Sequence, residues 1–138
     1  MVQVTVERVG LDRDSDQAVV LLSDLTKSSF IPIWVRSPEA SAIALPIQGV
    51  KAPRPLTVDL LASVLERLEV QVIMAVITEI KDSTFYASLV LTRDGEEIEM
   101  DCRPSDAIAL ALRMAAPIYA SNRVMAEAGI KPEDTSVQ

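Results

Sequence analysis

The sequence predicts an α+β fold in a single compact domain, its antiparallel strands arranged in two groups of three, each group followed by helices. Three observations carry this. Strand-like apolar segments fall into two runs of three. Polar or glycine-containing turns separate the strands inside each run. Each run ends at a Ser/Pro/acid cluster of the kind that starts a helix. An alternating β-α-β order, with a parallel sheet, does not fit this pattern.

In the first run, Val2, Val4 and Val6 alternate with Gln3, Thr5 and Glu7, which is the period of a half-buried strand. A polar turn covers Asp12 to Asp16. Ala18–Leu22 and Phe30–Val35 are short runs rich in branched residues and read as two more strands, joined by Asp24–Ser29. Ser37-Pro38-Glu39 then opens a helix, with Ser37 as the cap, Pro38 in the first turn and an acid near the positive end of the helix dipole. The helix runs toward Ile47, and Pro46 should end or kink it.

Lys51–Pro55 is a stiff linker with two prolines. Thr57 is expected to cap an amphipathic helix with Leu60, Leu61, Val64, Leu65 and Leu68 on one face. In the second run, Val70, Val72, Met74, Val76, Thr78 and Ile80 are placed on one side of a long strand. Lys81-Asp82-Ser83 turns into a strand over Thr84–Thr92. Asp94-Gly95 is a strong hairpin signal leading to Glu96–Cys102. Ser105 is expected to cap a helix ending near Ala116, before Pro117. A short segment, Ile118–Ala120, precedes a last helix capped by Ser121 and closed by Gly129. The domain is expected over 1–130, with a flexible tail at 131–138.

Arg36-Ser37-Pro38-Glu39-Ala40 and Arg103-Pro104-Ser105-Asp106-Ala107 both stand between a third strand and an Ala-rich helix. An internal duplication explains the echo; so do two capping signals that recur for local physical reasons.

The chain of 138 residues carries 20 acids against 13 bases, a net charge of −7, and no histidine. The missing histidine excludes Ser-His-Asp and Cys-His catalysis and His-ligated metals within the chain. The single cysteine, Cys102, excludes an internal disulfide or a Cys-rich zinc site and is read as core. No apolar run reaches about 18 residues, and Met1 opens directly into a strand pattern. The expectation is a soluble protein of a reducing cytoplasm, without signal peptide or membrane association. The acidic balance predicts weak, steeply salt-dependent binding to DNA or RNA.

Three constellations carry chemistry. Asp12, Asp14 and Asp16 resemble the start of a calcium loop, but Gln17 stands where glycine is needed and Ser23 where glutamate is needed, so a plain polar turn is the better reading. Glu97, Glu99 and Asp101 share one strand face, neighbours roughly 7 Å apart, and Asp106 follows in the next helix. Asp101 with Asp106, joined by Glu39 or Asp59, is the best candidate for holding Mg²⁺ or Mn²⁺ in phosphodiester cleavage; no organic cofactor is implied. The plainer alternative, which the residues alone favour, is a solvated strand face and an acid that stabilises a helix start. Arg36, Arg54 and Arg103 each sit beside a proline-marked helix start and suit phosphate contacts, or else an Arg–Asp network at the strand-to-helix corner. The helices after Ser37 and Ser105 are apolar nearly all round, which calls for a second subunit to cover them and hence a homo-oligomer.

Pro32-Ile33-Trp34, Pro53-Arg54-Pro55-Leu56-Thr57 with Asp59-Leu60-Leu61, Asp82 with Thr84-Phe85-Tyr86-Ala87, and Asp101-Cys102-Arg103-Pro104-Ser105-Asp106-Ala107-Ile108-Ala109 together resemble the bifunctional nuclease domain family. The likeness runs from about Val2 to Ile130. It implies a small, self-associating α+β hydrolase domain that cleaves both DNA and RNA. The motif positions that transfer are Arg54, Asp59, Asp82, Asp101, Arg103 and Asp106. A metal-assisted nuclease therefore places Asp101 and Asp106 on the metal and Arg54 and Arg103 on the phosphate. The acidic charge and absent histidine instead favour a non-enzymatic regulatory or scaffold oligomer that binds a small anionic ligand or a protein partner.

Overall fold

The computed structural model describes residues 1–135. Strands β1 (Val2–Leu11), β2 (Gln17–Asp24) and β3 (Phe30–Arg36) form one antiparallel meander, followed by α1 (Ser37–Gln48) and α2 (Thr57–Arg67). Strands β4 (Gln71–Lys81), β5 (Thr84–Arg93) and β6 (Glu96–Cys102) form a second, followed by α3 (Pro104–Met114). A three-residue strand, β7 (Ile118–Ala120), and α4 (Asn122–Ala128) complete the domain. Among the described residues the strands make one seven-stranded sheet in the order β3-β2-β1-β7-β4-β5-β6.

The α+β class and the two three-strand groups are therefore as the sequence predicts, with one addition. Strand β7 lies between the meanders, antiparallel to β1 (Val2 opposite Ala120, Val4 opposite Ile118) and parallel to β4 (Ala75 opposite Ile118, Ile77 opposite Ala120). The β-β-β-α order occurs twice, as the echo in the sequence suggests. Val4, Val20, Leu22, Ile31 and Ile33 from the first meander and Ala75, Ile77, Ala87 and Leu89 from the second join α1 and α3 in one aliphatic core.

Both tight hairpins of the second meander need left-handed backbone at two successive positions, the signature of a type I′ turn. Asp94 (φ 52°) and Gly95 (φ 82°) supply it after β5, and Asp82 (φ 52°) and Ser83 (φ 63°) supply it after β4 without any glycine. In the first meander, Asp12 accepts bonds from the Asp14 amide and the Ser15 hydroxyl, each at 3.0 Å, so the Asp12–Asp16 stretch is a polar turn.

The structure corrects several local expectations. Strand β4 shifts register between Val72 and Met74 and again between Ile77 and Glu79. An extra residue in a strand reverses which face the following side chains take. Ala75 and Ile77, rather than Met74 and Val76, therefore continue the core face begun by Val72. The helix starts also move. Arg36, Leu56 and Arg103 are the N-caps, so Ser37, Thr57 and Ser105 lie inside their helices, whereas Ser121 does cap α4 and accepts the Val124 amide at 3.1 Å. Pro46 sits within the last turn of α1 and does not end it; left-handed Gly49 (φ 69°) does.

Helix α3 is buried within the chain's own fold, so its apolar surface needs no second subunit. The unpartnered helix is α2: Leu60, Leu61, Val64 and Leu68 are exposed, and only Val58, Ala62 and Leu65 reach the core. Arg113 at the end of α3 ties α2 down. Its Nε donates to Asp59 of α2 at 2.5 Å, and its Nη1 donates to the carbonyls of Ala42 in α1 (2.6 Å) and Ala109 (3.0 Å). The other Asp59 oxygen accepts the Leu56 amide at 2.8 Å.

Of the tail expected at 131–138, Pro132–Asp134 form a turn of 3-10 helix and the Thr135 carbonyl accepts a bond from Arg8 at 2.6 Å; residues 136–138 lie outside the described residues. No helix among the described residues is long and apolar enough to cross a membrane.

The bond from Arg113, and then the Leu56 amide, hold the Asp59 carboxyl below its ordinary range. A carboxylate depressed by folding stabilises above its unfolded pKa of about 3.9 and loses that contribution as pH falls through the lower folded value. Asp59→Asn should therefore lower stability by about 1 kcal/mol at pH 7, a modest loss because the carboxylate is partly screened by solvent. The difference between parent and variant melting temperatures should shrink as the pH falls below about 3.9 and vanish once it has passed the lower folded value. A deficit that persists unchanged in acid would show that packing, not the ion pair, is lost.

Candidate functional site

The corner between β6 and α3 turns on a short sequence. Asp101 and Cys102 end the strand, Arg103 caps the helix with extended backbone (φ −73°, ψ 150°), and Pro104 takes the first helical position, where its missing amide costs nothing. Asp106 follows in the first turn. The Arg103 guanidinium closes on it as a fork, Nε to Oδ2 and Nη2 to Oδ1, both at 2.8 Å. The third guanidinium nitrogen lies 3.6 Å from Glu39 of α1. Arg103 is thereby held more basic than usual, chiefly through the bond to Asp106. The pairs are largely exposed, so they fix geometry more than they add stability.

The start of α1 repeats this arrangement with a different acid. Arg36 caps the helix and binds Asp16 of the β1–β2 turn, with Nη2 at 2.7 Å and Nε at 3.2 Å from one carboxylate oxygen. Asp16 is pulled below its ordinary range by that bond first and by Ser37 second.

Two depressions flank the Arg103 corner. A cleft of about 660 Å³ has an apolar floor of Leu61, Leu65, Leu89, Leu91 and Met100 and a polar end of Glu39, Asp101, Arg103, Ser105 and Asp106. A second groove, about 400 Å³, runs between Trp34 and Arg36 of β3 on one side and Ser83, Thr84 and Phe85 of the β4–β5 hairpin on the other. Glu39, Arg103 and Ser105 line both, so the corner stands between them.

Of the residues expected at the site, the fold brings Glu39, Arg103 and Asp106 within ion-pair reach, has Asp101 line the same cleft, and sets Arg36 in the adjoining groove. Asp59 lines a separate hollow with Arg113, where both its carboxylate oxygens are engaged in holding helices. Arg54 is exposed in the loop before α2 and makes no hydrogen bond or ion pair among the described residues. Asp82 lies at the exposed β4–β5 turn. The two arginines beside strand ends therefore behave as the predicted Arg–Asp network, and they remain exposed enough to meet a ligand.

Glu39, Asp101 and Asp106 are hard oxygen donors, of the kind Mg²⁺ or Mn²⁺ takes. Among the described residues no group of three His, Cys, Asp or Glu side chains is arranged to hold an ion. Both oxygens of Asp106 are occupied by Arg103. The donor set thus suits a cation that keeps one or two carboxylates and completes its shell with water and substrate phosphate, and does not suit an all-protein cage. Cys102 is half-buried; desolvation first, then the neighbouring Asp106 and Asp101, push its thiol up to about 11. It stays a protonated, unreactive core group at neutral pH, as its place on the sheet suggests.

Sequence reasoning missed three contributors. Arg113 was visible as the cation in an otherwise apolar helix. Trp34 was visible only as part of a motif, and its exposure of 61% could not be read from an apolar strand. The leucine floor of the cleft comes from α2 and β5, which pattern alone does not bring together.

An α+β domain with a carboxylate- and arginine-lined cleft at the end of its second meander is the class the fold defines. A family model described as the bifunctional nuclease domain matches residues 20–133, and the chain belongs to that family. It is 38% identical over 136 residues to an uncharacterized protein of Mycobacterium tuberculosis, covering 99% of this chain and 81% of that one. It is 30% identical over 124 residues to bifunctional nuclease 1 of Oryza sativa subsp. indica, which covers 86% of this chain. Bifunctional nuclease 2 of Oryza sativa subsp. japonica is 27% identical over 117 residues and covers 83% of this chain. The chain spans 38% and 36% of the length of these two rice proteins.

Proposed function

We propose that the chain is a cytoplasmic, metal-assisted nuclease that hydrolyses phosphodiester bonds in DNA and RNA at the β6–α3 corner. The observation that carries this reading is the Arg103 fork on Asp106, with Glu39 3.6 Å away, at a cleft that Asp101 also lines. Membership of the bifunctional nuclease family and the rice relatives support it.

Asp101, exposed at the end of β6, takes the proton from the attacking water as the new O–P bond forms and the ester P–O bond breaks, and the departing sugar oxygen takes a proton from solvent. Arg103 neutralises the phosphoryl oxygens through its planar fork. Asp101 and Asp106 would hold Mg²⁺ or Mn²⁺, which would supply charge neutralisation and a more acidic water. The two roles are coupled. Asp106 is free for a cation only when Arg103 leaves it, and Arg103 then has its donors available for phosphate. Substrate and cation would therefore open the same ion pair.

The exposed stripe of Leu60, Leu61, Val64 and Leu68 on α2 supports self-association. A second copy that covers this stripe would also wall the adjoining cleft, to which Leu61 belongs. If the chain is instead a regulatory oligomer that binds an anionic ligand, this surface persists and cleavage does not.

Asp101→Asn should cut single-stranded DNA and RNA at least about 100-fold more slowly than the parent, with little change in melting temperature because the residue is exposed. EDTA should abolish cleavage by the parent and Mg²⁺ or Mn²⁺ should restore it. Parent-rate cleavage by the folded variant removes Asp101 from the reaction, and EDTA-resistant cleavage removes the metal.

Sedimentation at micromolar concentration should give a multiple of 15.0 kDa for the parent and a smaller species for Leu61→Glu/Val64→Glu. A parent that sediments as the monomer would show that solvent alone covers α2.

A further inference from the structure

We infer that Trp34 is a stacking platform for an unpaired nucleobase, and that the groove between β3 and the β4–β5 hairpin leads single-stranded nucleic acid to the β6–α3 corner. The inference rests on reading the chain as one that acts on nucleic acid, and it names the substrate form and a positioning residue for it.

Strand alternation puts Phe30, Pro32, Trp34 and Arg36 on one face of β3 and Ile31, Ile33 and Val35 on the other. Ile31, Ile33 and Val35 pack in or against the core, and Phe30 is buried where its backbone pairs with Ile130. Trp34, four residues along the same face as Phe30, is 61% exposed. It is the only tryptophan in the chain. An exposed indole offers a large, flat π-face on which a ligand ring can stack.

The neighbours indicate the ligand. Arg36 stands two residues on, roughly 7 Å away on the same strand face. Arg103 reaches the groove from the start of α3, and Ser83 and Thr84 supply small hydroxyls opposite. Both guanidiniums are tied to carboxylates through exposed pairs, which contribute little and yield readily to a phosphate. An exposed indole with Arg36 two residues along its strand and Arg103 lining the same groove matches a base and the phosphates next to it.

Stacking and phosphate contact read neither the base identity nor the 2′-hydroxyl, so one groove serves DNA and RNA alike. A duplex keeps its bases stacked inside and cannot offer one to Trp34. Arg103 lines both the groove and the catalytic cleft, so a strand seated on Trp34 continues toward Asp101.

Because Trp34 is the sole tryptophan, its fluorescence reports the contact directly. In EDTA and low salt, a ten-residue dT or rU oligonucleotide should quench it saturably and to a similar extent, and a blunt duplex should not. By anisotropy of a labelled oligonucleotide, Trp34→Ala should bind about 5- to 100-fold more weakly and Trp34→Phe within about threefold of the parent. The exposed position should leave the melting temperature of both variants near that of the parent.

Absent quenching, or unchanged affinity in Trp34→Ala, overturns the proposal. So does a Trp34→Ala variant that sediments as a smaller species with its affinity intact, since the indole would then cover a subunit contact. Cleavage of the same oligonucleotides in Mg²⁺ is scored separately. A parent that is quenched but does not cut ends the hydrolase reading and keeps the platform; one that cuts without quenching ends the platform alone.

Discussion

Three residues hold the two halves of this protein in one sheet. Ile118–Ala120 pair with β1 on one side and β4 on the other, and the chain on either side adds to the splice. The Ala75 amide donates to the Pro117 carbonyl at 3.0 Å, the Ser121 amide to that of Ile77 at 3.0 Å, and the Ser121 hydroxyl to that of Thr78 at 2.9 Å. Without this strand, β1 and β4 would each present an open edge, and two meanders of three strands would share only helix contacts. The outer edges that remain are blunted, by Pro32 in β3 and by alternating acids in β6. Two copies of β6 paired about Glu99 would set like charges opposite one another, which disfavours pairing along that edge.

The splice also sets where chemistry can happen. Each meander delivers its last strand to a helix start capped by an arginine, Arg36 at α1 and Arg103 at α3. With the sheet continuous, α1 and α3 pack side by side, and Glu39 from one start comes within 3.6 Å of the arginine of the other. Arg113 then fixes α2 against the same pair of helices, and α2 supplies the apolar side of the cleft. The β6–α3 corner is thus a product of the repeated β-β-β-α order, with neither half sufficient to build it. Two of the chain's nine arginines, Arg36 and Arg103, stand at these helix starts, held by acids that a phosphate can replace.

Local signals were the legible part of the fold. Asp94-Gly95 announced its hairpin because the turn demands left-handed backbone that glycine adopts freely. The Asp101–Asp106 corner was legible because its members are neighbours in sequence. What depended on distant partners was not. Strand β7 is too short to carry a pattern. The bulges of β4 add residues that no periodicity reveals, and they moved Ala75 and Ile77 into the core positions expected for Met74 and Val76. The stripe on α2 was read correctly as a stripe, but hydrophobic periodicity says where apolar residues lie and not what covers them. Asp59 was drawn to the candidate site by its motif, whereas the residue that claims it, Arg113, lies 54 positions away.

Hydrogen exchange of the full chain, with and without a ten-residue single-stranded dT oligonucleotide in EDTA, tests most directly whether the two helix starts and the groove between them form the nucleic-acid site. The account predicts slowed exchange at residues 34–39, at the 83–85 turn and at the 103–106 corner, with α2 unaffected. Slowing confined to α2 and the outer face of β6, with those three segments unchanged, would contradict it.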